Sequence, residues 1–173
     1  MRMLTALVVV ALAAQAPSRA NLLMDMQKRV FEVTGANPRE CGRHPSRQVD
    51  GKVVYATRQQ LQASLECARD AVRTGQPFWT FVEVHGIDSW VAHGLLRTAS
   101  GEVQFFDYDS DPCGGPRCGG DLSLFPCAEP VVTADAGGGD ADFSCRDQQA
   151  SRPARRGARP RLRASASPQS FRR

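Results

Sequence analysis

Residues 79–93 read WTFVEVHGIDSWVAH. The stretch holds His85 and His93, two of the three histidines in the chain, with Glu83, Asp88 and Ser89 around them. Apolar, aromatic and β-branched residues run up to a glycine-bearing break and resume after it. That is the pattern of a β-hairpin. The fold then turns on register. If Gly86-Ile87-Asp88 is a three-residue loop, His85 stands opposite Ser89. One face carries Phe78, Thr80, Val82 and Val84 with Trp90, Ala92, Gly94 and Leu96. The other carries Trp79, Phe81, Glu83 and His85 with Ser89, Val91, His93 and Leu95. A slip of one residue exchanges the faces of a whole strand, so the split that best separates polar from apolar is expected. Gly86 is expected to hold a positive φ, and Asp88 and Ser89 to bond neighbouring backbone amides.

Working outward, residues 89–98 and 102–109 continue the period of two, which predicts a three-stranded antiparallel meander over 78–109. Before it, residues 58–74 predict a helix. Thr57 and Gln60 have the capping-box spacing, and Leu61, Leu65, Ala68 and Val72 form one stripe. Gly75 and Pro77 end it. Residues 21–33 predict a shorter helix with Leu22, Leu23, Met26 and Val30 on one side, ended by Gly35 to Pro38. The expected fold is α+β: one main helix packed on the meander.

The chain opens MRMLTALVVVALAAQAPSRA: an Arg, an apolar run from Leu4 to Ala14, then small residues. The run is too short to span a bilayer and has the layout of a secretory leader. Small residues fit cleavage after Ala16 or after Ala20. The first leaves Pro17 at the new terminus, so cleavage before Asn21 is preferred. No second long apolar run follows, so the mature chain is expected to have no transmembrane segment and to be periplasmic or extracellular. In that setting Cys41, Cys67, Cys113, Cys118, Cys127 and Cys145 point to disulfides rather than zinc. Six cysteines allow fifteen connectivities, and spacing alone does not choose among them. Helix flank and proximity favour Cys41–Cys67, Cys113–Cys118 and Cys127–Cys145.

Residues 21–132 are thus read as the disulfide-stapled domain. Residues 133–145, TADAGGGDADFSC, read as an acidic, Gly-rich connector. From Arg146 to the end there are nine Arg and one Asp, a net of +8 against +4 for the whole chain, so residues 1–145 sum to −4. This tail has almost no large apolar side chains and is expected to be disordered. Its cations suit an anionic cell-surface polymer or lipid headgroups. No aromatic platform accompanies them for specific nucleic-acid binding.

Three constellations bear chemistry. Glu83, His85, Ser89 and His93 share one face in the expected register and suggest a hydrolase, with His as base and Ser as nucleophile. No nucleophile-elbow motif surrounds Ser89, and a hairpin tip offers little concavity. His44, His85 and His93 with Glu83 suggest zinc or copper, though no HxH or HExxH spacing occurs. Asp107, Asp109 and Asp111 suggest calcium, yet Pro112 and Cys118 stand where an EF-hand needs Gly and Glu. Each also has a plain structural explanation in a half-exposed strand or turn. The expected function is therefore an exported, non-catalytic binding or interaction domain with no cofactor. A hydrolase and a metal-binding protein are the alternatives.

Overall fold

The computed structural model describes residues 18–35, 37–114, 118–134 and 140–146. The chain runs α1 (Arg19–Thr34), β1 (Arg39–His44), β2 (Arg47–Val49), β3 (Lys52–Val54), α2 (Arg58–Thr74), β4 (Phe78–Val84), β5 (Val91–Arg97), β6 (Val103–Asp109), β7 (Asp121–Pro126), β8 (Pro130–Ala134) and β9 (Ala141–Cys145). The mixture of helices and strands expected of an α+β chain is present. The meander β4-β5-β6 is present, but as the centre of a five-stranded sheet ordered β1-β4-β5-β6-β7. Strand β1 lies parallel to β4, and the other neighbours are antiparallel. Parallel neighbours need a crossover, and α2 supplies it.

The helix α2 has the bounds its sequence dictates. Thr57 and Gln60 form the capping box, and Gly75 closes the end with φ +74°. Arg97 adds a cap from the sheet, its Nη1 donating to the Gly75 carbonyl at 2.6 Å. The buried stripe is Leu61, Ser64, Leu65, Ala68 and Ala71. Val72, expected inside it, is 43% exposed.

Two helices cover the sheet, one on each face, where a single main helix was expected. On one face α1 sets Met26 and Val30 against Trp79, Phe81, Ala92, Leu96, Phe106 and Tyr108. On the other, α2 sets Leu61, Leu65, Ala68 and Ala71 against Phe78, Val82 and Leu95. This corrects the register. Thr80 pairs with Leu95, Phe81 with Gly94 and Val82 with His93, one residue away from the pairing of His85 with Ser89. Trp90, Ala92 and Leu96 therefore share the α1 face with Trp79 and Phe81. The polar/apolar criterion fails because it assumes one wet face, and here both central faces are dry. Gly94 fits this register: a side chain there would run into the Thr80 carbonyl and the Phe106 ring. Gly86 does not hold a positive φ. It is small because the Ser89 carbonyl lies against it.

Three disulfides staple the chain: Cys41–Cys67, Cys113–Cys118 and Cys127–Cys145. The first ties β1 to α2, and an Arg39–Asp70 pair at 2.7 Å reinforces it. The segment expected as a connector carries β9, which pairs with β8 and buries Ala141, Phe143 and Cys145 in the α2 core. The expected leader falls outside the described residues up to residue 17, and the Arg-rich tail does so from Asp147. No helix among the described residues is long and apolar enough to cross a membrane.

Candidate functional site

Glu83, His85, Ser89 and His93 do not come together. In the observed register Glu83 pairs with Ala92, on the α1 face, whereas His93 pairs with Val82, on the α2 face. Glu83 pairs with Arg19 and accepts from the Ser46 amide at 3.1 Å and the Ser46 hydroxyl at 2.8 Å. His85 is exposed in the β4–β5 loop, its Nδ1 3.1 Å from the Tyr55 hydroxyl. Ser89 stays in that loop, with its carbonyl against Gly86.

His93 instead lies between two carboxylates. Its Nδ1 is 2.6 Å from Asp142 on β9, and its Nε2 is 3.7 Å from Asp107 on β6. The cluster fastens the β8–β9 hairpin to the sheet. Burial pushes the Asp107 carboxyl above its ordinary range, with Asp109, Asp142 and Asp121 adding to the rise and His93 opposing it. Asp107 and Asp109 share the α2 side of β6, but Asp111 lies in the following turn, where its amide donates to Asp109 at 2.9 Å. Among the described residues no group of three His, Cys, Asp or Glu side chains is arranged to hold a metal ion.

His44 reaches neither of the other histidines' partners. Its Nε2 lies 2.7 Å from the Ser64 hydroxyl on α2, and burial holds its pKa below the ordinary value. Sequence reading missed this Ser–His contact. Ser64 is 3% exposed, so the pair locks β1 to α2 rather than presenting a nucleophile. Beside it is a cavity of about 260 Å³ edged by His44, Tyr55 and Gln60. Each of these is engaged within the protein, with Ser64, His85 and Thr57 respectively.

A second cleft, of about 360 Å³, opens between α2 and β8. Its floor is Phe78 of β4 and Val103 of β6; its walls are Ala68 and Val72 of α2 and Pro130 and Val131 of β8. The register dictates the floor, since the α2 face receives Phe78 and its cross-sheet neighbours. The Cys127–Cys145 disulfide holds β8 across from the helix. At the mouth, Glu129 and Arg146 pair at 3.0 Å, and the Arg146 amide donates to the Glu129 carbonyl at 3.1 Å. Arg69, also at the mouth, has no ion-pair partner among the described residues. The exposed Val72 is thus an apolar stripe residue left uncovered where the cleft begins. An apolar hollow with the Arg69 guanidinium at its rim is chemically suited to a small apolar molecule bearing a negative charge.

Comparison with protein-family models, with curated proteins and with solved structures finds no match for this chain.

Proposed function

We propose that this chain is an exported, disulfide-stapled, non-catalytic binding domain, and that the α2–β8 cleft takes a small apolar anion. The observation that carries the reading is the cleft itself: an aliphatic and aromatic lining beside an Arg69 guanidinium with no ion-pair partner among the described residues. Burial of a short alkyl chain supplies affinity at roughly 25 cal/mol per Å² of apolar surface. The guanidinium selects the charged end. The polar groups that suggested hydrolysis are dispersed, and Glu83, His85 and His93 are engaged in tying elements together, which favours binding over reaction. Three disulfides in one chain agree with an oxidising, exported compartment.

Isothermal titration with octanoate tests this. The expected result is a saturable signal that weakens at least tenfold in Arg69→Ala and disappears in Val72→Trp, where the larger ring fills the cleft. A flat titration of the parent protein, or equal binding by all three proteins, contradicts the reading.

A further inference from the structure

Two guanidinium groups and one carboxylate edge the α2–β8 cleft: Arg69 on α2, and Arg146 and Glu129 at the open end of the β8–β9 hairpin. The backbones of the latter two are held by the ladder. Pro130 pairs with Cys145, so Glu129 and Arg146 stand opposite one another one step further along. The Arg146 amide donates to the Glu129 carbonyl at 3.1 Å, and the Cys127–Cys145 disulfide closes the same end. Their side chains meet differently. They pair at 3.0 Å, with Glu129 60% and Arg146 70% exposed. An ion pair so open to water contributes little to stability, because water solvates each charge nearly as well as its partner does. The side chains can therefore part without loosening the mouth. Arg69 stands three residues before Val72, which puts both on the side of α2 that edges the cleft. The carboxylates of α2 do not neutralise it: Asp70 pairs with Arg39 and Arg73, and Glu66 makes no ion pair among the described residues.

We propose that the ligand of this cleft carries a doubly charged head on its apolar chain, as an alkyl phosphate monoester does, and that this head displaces Glu129 and sits between Arg69 and Arg146. This rests on the binding reading above and narrows its ligand. With Glu129 turned out to solvent, the rim presents two positive charges to a head of about −1.5 to −2. Guanidinium forks match phosphate oxygens in pairs, a geometry that an ammonium does not offer. A monocarboxylate has a single charge, so it satisfies Arg69 and leaves Glu129 on Arg146. Glu129 thus occupies Arg146 until a stronger anion arrives, with the apolar chain of that anion lying on Phe78, Val103 and Val131.

Isothermal titration of the disulfide-bonded protein with octyl phosphate, octyl sulfate, octanoate and inorganic phosphate tests this. Octyl sulfate has the tetrahedral shape of the phosphate but only one charge. Octyl phosphate is expected to bind about tenfold more tightly than octanoate or octyl sulfate, the gain from one further charged contact. Glu129→Gln is expected to raise its affinity about threefold by freeing Arg146 from an exposed pair. Arg146→Gln is expected to remove most of its preference over octanoate. If octanoate binds saturably and octyl phosphate binds no more tightly, the proposal falls while the binding reading stands. Octyl sulfate equal to octyl phosphate would mean that shape, not the second charge, is selected, and would overturn it. So would inorganic phosphate equal to octyl phosphate, since the apolar lining would then play no part. An affinity unchanged in Glu129→Gln removes the displacement of that residue. Flat titrations with all four overturn the binding reading and the proposal together.

Discussion

The two faces of the central sheet are closed by different means. The α1 face is closed by rings: Trp79 stacks on Phe81 at 5.9 Å, Phe31 meets Trp79 edge-on, and Trp90 bridges Phe81 and Tyr108. The Tyr108 hydroxyl on this face donates to Asp25 at 2.8 Å. Burial would raise the Asp25 carboxyl, but hydrogen bonds from Arg29 and Tyr108 outweigh it and hold the group below its ordinary range. The α2 face buries Phe78 and Phe143 among aliphatic side chains and adds two disulfides and ionic ties, among them His93 with Asp142 and Arg39 with Asp70. Aromatic packing fills space to the density of a crystal, whereas stapled elements can stand apart and leave a hollow between them. On the reading proposed above, the α2 face is the one left open for contact.

Truncation on the α1 face should have the largest effect. Phe106 is fully buried, and Phe106→Ala is expected to cost about 3–5 kcal/mol in denaturant melts, with octanoate affinity of the folded protein unchanged. Loss of binding in step with loss of stability would erase the contrast between the faces. Next comes the staple. Replacing Cys127 and Cys145 together by Ser opens a loop of 18 residues and is expected to cost about 3 kcal/mol, and this time to abolish octanoate binding because β8 is released. Retained binding would mean that the hairpin stays in place without its covalent tie.

A smaller effect is expected from pH. His44 has a folded pKa below its unfolded value of 6.5, so the unfolded chain binds the proton more readily. Stability is therefore full above about pH 6.5 and falls as pH drops through the folded value. His44→Gln should flatten that part of the stability curve while leaving the rest of it unchanged. A curve of unaltered shape would place the acid sensitivity in another group. Smallest of all, His85→Ala should change stability by no more than about 0.5 kcal/mol, because the ring is exposed and touches only Tyr55 by hydrogen bond.

Much of the α2 side was legible. Thr57, Gln60 and Gly75 mark the helix ends by local chemistry, and that chemistry operates as read. The three disulfide pairs coincide with those suggested by helix flank and proximity. The sheet's edges were not legible. Strand β1, RECGRH, is charged and irregular, with its register shifted between Glu40 and Arg43. It carries no period of two, and its partner lies beyond a whole helix. Strand β7 hides its inward pair, Leu122 and Leu124, in Gly- and Pro-rich text. Asp50-Gly51, both at positive φ, turns the β2–β3 hairpin, and this is the short-range signal the sequence did offer. The register was illegible for a different reason: it depends on α1 covering the second face, which no property of residues 79–93 reveals. The cleft depends in turn on β8, drawn from a segment whose composition reads as loop.

Where a ligand lands tests the α2–β8 cleft most directly. Amide chemical-shift mapping of isotopically labelled protein during an octanoate titration should show saturating shifts at Arg69, Val72, Val103 and Val131, and still signals at Met26, Trp79 and Phe106. Shifts centred on α1, or no saturating shift anywhere, would contradict it.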